Sequence, residues 1–202
     1  MRSDWFETNG QSTLGNEQAA ILNHYAAHDV LVPSDLTPWM RSNHAGETGA
    51  VFIYKAASLA FWSKAIRQMA LEHGVTERHH LLVMSHLIST TEQSKLIPLW
   101  KLMGFGLGLF SSLFGYSFFC RTIQAVETFV EQHYNHQINY LISTAQSDSL
   151  LQLLLRCCEE EAHHKLDAES HLSHQCRGFW VGAWVKAVSR GSSVAVEAAK
   201  KI

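Results

Sequence analysis

The chain has 202 residues, enough for one domain with a buried core and no need of disulfide or metal staples. Sixteen Lys and Arg against eighteen Asp and Glu leave a net charge of -2, which excludes both the basic field that grips a nucleic-acid backbone and the acidic excess of a disordered tail. Charged residues make up only 17%, against roughly 25% in soluble domains, so part of the surface is expected to face something other than water, and thirteen histidines point to metal or proton chemistry.

Residues Met1 to Asn16 hold no apolar run, so no secretory signal or Arg-rich transit peptide is expected, and the chain is placed in a cytosol. Glu17 to His28 has amphipathic helical spacing, and Val30 to Leu36, interrupted by Pro33, is a connector; residues 1–36 therefore read as an extension to a domain at 37–202. Thr37 before Pro38 is a helix start, and the pattern predicts a helix to about Trp62. A second runs from Ser63 to about Gln93 and is stopped by Ile97-Pro98.

Leu102 to Cys120 is nineteen residues without a charge, between Lys101 and Arg121. A membrane span needs about 20 apolar residues, but four glycines and three serines weaken this stretch as a lone helix, so segment 98–120 is expected to lie in a membrane interface. Trp100 and Tyr116 suit the headgroup level, Lys101 and Arg121 can reach phosphate, and Phe179, Trp180 and Trp184 offer a second apolar patch. A third long helix, Tyr116 to Thr144, places Ile123, Val126, Val130, Ile138 and Leu141 on one face. Ser147 and Asp148 cap a fourth, Ser149 to His171, and the C-terminal segment 176–190 carries a last helix, Phe179 to Val188, before a loose tail at Arg190-Gly191-Ser192-Ser193. No segment alternates with period two, so the fold class is all-α.

The second long helix carries Glu77 and His80 at Glu-x-x-His spacing, which presents a carboxylate and an imidazole to one point. The fourth carries the same spacing twice in overlapping registers, Glu160/His163 and Glu161/His164, about 100° apart, so only one pair can aim at a common point. Leu153 and Cys157 favour the first register, Leu150, Leu154 and Cys158 the second, and periodicity does not decide. Glu47 and Glu127 stand alone in apolar surroundings, where an unpaired carboxylate is costly to bury unless a cation meets it.

One Glu from each of two helices plus Glu-x-x-His from each of two others is the ligand set of ferritin-like di-iron and di-manganese carboxylate bundles. The order here is lone Glu, pair, lone Glu, pair, with 30 residues from Glu47 to Glu77 and 33 from Glu127 to Glu160. Oxygen and nitrogen donors without thiolate favour iron or manganese over structural zinc. The expected architecture is thus a ferritin-like four-helix bundle with a dinuclear site in its core, an interfacial apolar segment and a C-terminal helix.

His44 and His133 are candidates for positions near that centre, whereas His24, His28, His73, His79, His86, His136, His171 and His174 read as surface residues. Cys157-Cys158 reads as small apolar filling. Cys120 and Cys176 complete a set of four cysteines without CxxC spacing, which fits a reducing compartment. Gly104, Gly106 and Gly108 do not spell a nucleotide-binding turn, and no flavin or nicotinamide motif is present.

Asn43-His44-Ala45-Gly46-Glu47 with Gly49-Ala50 and Ile53-Tyr54, Glu77-x-x-His80, Pro98-Leu99-Trp100 with Gly104-Phe105 and Leu107-Gly108, Ala125-Val126-Glu127, His133-Tyr134-Asn135, Gln137-Ile138, and Glu159-Glu160 with His163-His164 together resemble the demethoxyubiquinone hydroxylase family of ubiquinone biosynthesis, from about Pro38 to the end of the chain. The resemblance implies a membrane-bound monooxygenase that uses two iron ions, manganese being the lesser alternative, with dioxygen and a reductant. Its substrate would be a 6-methoxy-3-methyl-2-polyprenyl-1,4-benzoquinol, hydroxylated at C5. It assigns the metal ligands to Glu47, Glu77, His80, Glu127, Glu160 and His163, with Glu77 and Glu160 shared, and puts His133 and Tyr134 beside the quinol. Thr48 departs from the family's common tyrosine beside the first ligand. The implied location is peripheral, on the cytoplasmic face of a bacterial inner membrane; the implied partners are the quinol, dioxygen and membrane lipid, with a reductase, pathway proteins or a second copy as further candidates. The rival readings are a bacterioferritin-like iron store and a non-catalytic membrane-associated interaction protein.

Overall fold

The computed structural model describes residues 15–172 and 178–202; the expectations placed on residues 1–14, His174 and Cys176 fall outside them. Among the described residues there are seven α-helices and no strand. They are α1 (15–24), α2 (Thr37–Ala57), α3 (Lys64–Leu87), α4 (Ile97–Leu113), α5 (Tyr116–Thr144), α6 (Asp148–Ser170) and α7 (Phe179–Lys201).

Local chemistry sets most boundaries. Pro38 sits in the first turn of α2, where its missing N–H costs nothing. Ser63 and Ser147 cap α3 and α6 by accepting the backbone N–H groups of Ile66 and Leu150. Gly115, at φ 90°, makes the break between α4 and α5, and Ala145, at φ 50°, ends α5 in the left-handed region. Helices α2 and α3 stop at Ala57 and Leu87, short of the expected Trp62 and Gln93, because tight turns at Leu59 to Ser63 and the extended Ile88 follow them.

Helices α2, α3, α5 and α6 form the bundle; α4 packs along α2, and α7 packs on α2 and α5. Two apolar clusters fill the interior. One gathers Met40, Val83, Tyr134, Leu154 and Cys157, the other Ile53, Met69, Ile123, Val126 and Ala168. Each bundle helix contributes to both clusters, and on each the acidic site residue falls between the two contributions: Glu47 between Met40 and Ile53, Glu77 between Met69 and Val83, Glu127 between Val126 and Tyr134, Glu161 between Cys157 and Ala168. The polar centre is therefore a layer across the middle of the bundle, closed by hydrocarbon on both sides.

The uncharged stretch 102–120 is two elements. Phe119 and Cys120 belong to α5 and are buried in its core, while α4 ends at Leu113. A Cβ on Gly104 would stand 2.2 Å from the carbonyl oxygen of Gly49, and one on Gly108 would stand 2.1 Å from that of Ile53, so glycine at this four-residue spacing lets α4 touch the backbone of α2. The large residues Leu99, Leu102, Met103, Phe110 and Leu113 are left exposed on the other side. No helix among the described residues is long and apolar enough to cross a membrane.

The expected loose tail is also corrected. Helix α7 runs on through Arg190-Gly191-Ser192-Ser193 to Lys201, beyond the expected 176–190 segment. Val188, Val196 and Ala199 bury against the bundle, and Arg41 donates to the carbonyl of Lys200 while the Lys95 N–H donates to that of Ile202. Packing and these end contacts override the weak helix propensity of Gly191.

Candidate metal centre

Six buried side chains meet in the central layer. Ligand atoms of Glu47, Glu77, His80 and Glu161 lie within 4.8 Å of one another, and so do those of Glu77, Glu127, Glu161 and His164. The two cradles share Glu77 and Glu161. His80 Nδ1 is 2.9 Å from Glu161 Oε1 and 3.7 Å from Glu47 Oε2, and His164 Nδ1 is 3.0 Å from Glu77 Oε1 and 3.6 Å from Glu161 Oε2.

Four carboxylates in so dry a layer repel one another. Burial first, and the neighbouring Glu161 second, push Glu77 up to about 8; burial, then Glu161 and Glu77, hold Glu127 well above the usual carboxylate range. Burial works against the charge of Glu161 and His164 too, but their close approach to each other, with help from His80 and Glu77, keeps Glu161 low and lifts His164 to about 11. Glu77 Oε1 and Oε2, Glu161 Oε2 and His164 Nδ1 are buried without a hydrogen-bond partner. Orphaned acceptors of this kind are rare in folded interiors, and two divalent cations would satisfy all of them, so the residues fit a dinuclear metal group. Cys157 is buried nearby but belongs to neither cradle, and burial pushes its thiol up to about 12.

Of the residues expected as ligands, Glu47, Glu77, His80 and Glu127 are in the cluster, whereas Glu160 and His163 are not. The Glu160 side chain is 29% exposed and accepts hydrogen bonds from Tyr25 and His80; His163 is exposed and lines an open polar cleft with His24, Arg156 and Glu159. The neighbouring register, Glu161 and His164, points inward. The deciding signal lies beyond the motif: Leu150, Leu154, Cys157, Glu161, His164 and Ala168 form an unbroken stripe at three- and four-residue spacing, while the alternative stripe runs into Asp167.

The two lone glutamates are each held by a tyrosine. Tyr134 donates to Glu47 Oε1 at 2.5 Å and Tyr54 to Glu127 Oε1 at 2.8 Å. His73, expected at the surface, is buried between Tyr54 and Asp167 and stacks on His164. His44 is buried outside the cluster with Nδ1 unpartnered, and Thr48 is buried with its hydroxyl on the His44 carbonyl. The sequence assigned no role to Tyr54 or His73, because the partners of both come from other helices.

A cavity of about 390 Å³ leads from between α4 and α7 to the layer, where it meets Glu47, Glu77, Glu127 and Glu161. Its wall is mostly apolar, with Trp100, Leu107, Val126 and Trp184 among the lining residues; His133 also lines it, and Tyr134 lines it where it holds Glu47. His133 is largely buried, which presses its pKa down to about 4, Lys200 adding to the effect. Because the Ser42 hydroxyl already donates to the Trp39 carbonyl, the 3.1 Å contact with His133 Nε2 is a donation from the imidazole to Ser42 Oγ.

An all-α bundle with two Glu/His cradles sharing two carboxylates across its middle is a ferritin-like helical bundle of the carboxylate metal-centre class. The family model for ubiquinone biosynthesis protein COQ7 matches residues 34–199, and the chain belongs to that family. Among its relatives, the human NADPH-dependent 3-demethoxyubiquinone 3-hydroxylase, mitochondrial, is 30% identical over 141 residues, 66% of this chain and 65% of that protein. The protein of the same name from Caenorhabditis elegans is 26% identical over 167 residues, 81% of this chain and 88% of that one. The 3-demethoxyubiquinol 3-hydroxylase of Albidiferax ferrireducens is 28% identical over 132 residues, 64% of this chain and 62% of that one. The matched stretch thus spans just under two thirds of the human and bacterial proteins.

Proposed function

We propose that the protein is a di-iron monooxygenase that hydroxylates the ring of a demethoxyubiquinol. The observation that carries this reading is the apolar cavity ending on Glu47, Glu77, Glu127 and Glu161: it gives a hydrophobic ring access to a buried metal-binding layer, which an iron store has no use for. Family membership and the names of the relatives point the same way.

Glu47, Glu77, His80, Glu127, Glu161 and His164 would hold two iron ions, Glu77 and Glu161 serving both. When bound, the ferrous pair supplies the two-electron activation of dioxygen that ring hydroxylation requires. The chain's own residues do the rest. Tyr134 and Tyr54 fix the lone glutamates, the two apolar clusters exclude water, and the neutral His133 imidazole stands beside the ring. Regiochemistry needs no further device, because a 6-methoxy-3-methyl-2-polyprenyl-1,4-benzoquinol has one unsubstituted ring carbon, C5. That carbon becomes position 3 when the ring is numbered in the other direction, in agreement with the names of the relatives.

The substrate's polyprenyl tail calls for a membrane. The exposed row Leu99, Leu102, Met103, Phe110, Leu113 and Phe114, next to the cavity mouth, would rest in one leaflet, with the bundle on the cytoplasmic side. The test is iron-loaded protein in lipid vesicles with demethoxyubiquinol, a reductant and ¹⁸O-dioxygen. The expected product is a hydroxyquinol carrying one labelled oxygen, with the second reduced to water. Oxidation and retention of many ferrous ions per chain without that product would return the protein to the storage class.

A further inference from the structure

We propose that Tyr25 and Glu160 form an outer brace on His80, through which the N-terminal extension positions one imidazole of the metal centre. The proposal rests on the reading of the central layer as a metal centre. Its outermost member, Tyr25, lies in a part of the chain that the family model does not reach, since the match begins at residue 34.

The brace is a short chain of contacts running outward from the layer. His80 faces Glu47 and Glu161 with Nδ1 and faces Glu160 with Nε2, at 2.7 Å. The same Glu160 oxygen accepts the Tyr25 hydroxyl at 2.6 Å, and the Tyr25 ring meets the His80 ring edge-on, centroids 5.8 Å apart. Tyr25 is 3% exposed, so its hydroxyl is a committed donor. Three features hold it there. Leu22 and Ala27 sit in the core cluster, Ala26 turns the chain at φ 50°, and Arg156 of α6 lies 6.0 Å over the Tyr25 ring while donating to the His24 carbonyl.

A carboxylate that accepts Nε2–H fixes both the tautomer and the plane of an imidazole, leaving the Nδ1 lone pair for a cation. Glu160 is placed to do this for His80, and Tyr25 is placed to hold Glu160. His164 is supported differently, by the flat stack of His73, so the two cradles are braced by unlike devices. Glu160 is therefore a positioning residue, and this accounts for a Glu-x-x-His match whose carboxylate lies outside the cluster.

The experiment compares full-length wild type with Y25F, E160A and E160Q, titrated anaerobically with Co(II). E160A is expected to weaken one of two Co(II) equivalents by about 10- to 100-fold and to shift its ligand-field spectrum. Y25F should move both in the same direction by less, and E160Q, whose amide oxygen still accepts, should recover most of the loss. Metal-free circular dichroism and melting should match wild type. In ¹⁵N-histidine-labelled metal-free protein, the His80 Nε2–H resonance should shift in Y25F and lose its hydrogen-bonded position in E160A. Wild-type affinity and spectrum in both Y25F and E160A overturn the brace. So does outright loss of an equivalent in E160A without recovery in E160Q, which would make Glu160 a ligand. A wild-type chain that takes up no Co(II) overturns the metal reading instead, and the His80 resonance then still decides the contact.

Discussion

The His73 ring lies flat on the His164 ring, centroids 4.2 Å apart and planes 10° from parallel. His73 is fixed in that plane from both edges, by Tyr54 at Nδ1 and by Asp167, 2.8 Å from Nε2. Replacing His73 by alanine should cost about 1–3 kcal/mol of stability in urea unfolding, since it opens a hole and leaves the buried Tyr54 hydroxyl with one partner fewer. Asp167→Asn should cost much less, because Asp167 is half exposed. Among bound ions, the one facing His164 should weaken in the His73 variant while the other stays.

Shared and unshared carboxylates predict different metal counts. Glu77 and Glu161 belong to both cradles, whereas Glu47 and Glu127 belong to one each. Elemental analysis of anaerobically loaded protein should find about two iron per chain in wild type, close to none in Glu77→Ala or Glu161→Ala, and about one in Glu47→Ala or Glu127→Ala. His163→Ala should retain both ions. A Glu161→Ala protein that keeps two ions while His163→Ala loses them would restore the other register.

Those counts also mark how far the sequence was legible. Helix α5 was bounded correctly from end to end because its apolar stripe and flanking glycine are local, and Glu47, Glu77, His80 and Glu127 stood out because carboxylates are costly in apolar surroundings. The register on α6 was not legible within the motif, since Glu160 and Glu161 each have apolar residues one and two turns before them. It became decidable only from Ala168 and Asp167 one to two turns beyond. The roles of Tyr25, Tyr54 and His73 were invisible for another reason: each acts on a residue of a different helix, and helix pairing is set by the fold as a whole. The glycines of α4 read as weakness in a lone helix, yet against α2 they are the contact itself.

That contact can be tested by adding a single methyl group. Gly104→Ala and Gly108→Ala would drive a Cβ into the backbone of α2, where no flexible side chain can yield. Each should destabilise by at least the ~1–3 kcal/mol of ordinary overpacking and should disturb the cavity wall that α4 provides. Gly106→Ala meets nothing within 4 Å and should stabilise α4 by roughly 0.5–1 kcal/mol through helix propensity. Equal melting temperatures across the three variants would mean that α4 does not sit on α2 in this way.

His133 sets a pH dependence whose sign follows from its burial. Its folded-state pKa is pushed from 6.5 down to about 4, first by burial and then by Lys200 and His136, with Glu197 opposing them. Between those two values the unfolded chain binds a proton that the folded chain refuses, so the contribution is fully present above pH 6.5. It is lost as pH falls towards 4, and it stays constant below that. At 1.36 kcal/mol per unit the loss across the window is about 3 kcal/mol. Urea midpoints of metal-free protein should therefore fall more steeply between pH 6.5 and 4 in wild type than in His133→Gln, whose amide can still donate to Ser42 but takes up no proton. Lys200→Ala should make the acid limb shallower, because removing a nearby cation raises the folded-state pKa towards 6.5 and narrows the window over which stability is lost. Parallel limbs for wild type and His133→Gln would mean that the imidazole is solvated, and with that its place beside a hydrophobic ring would go.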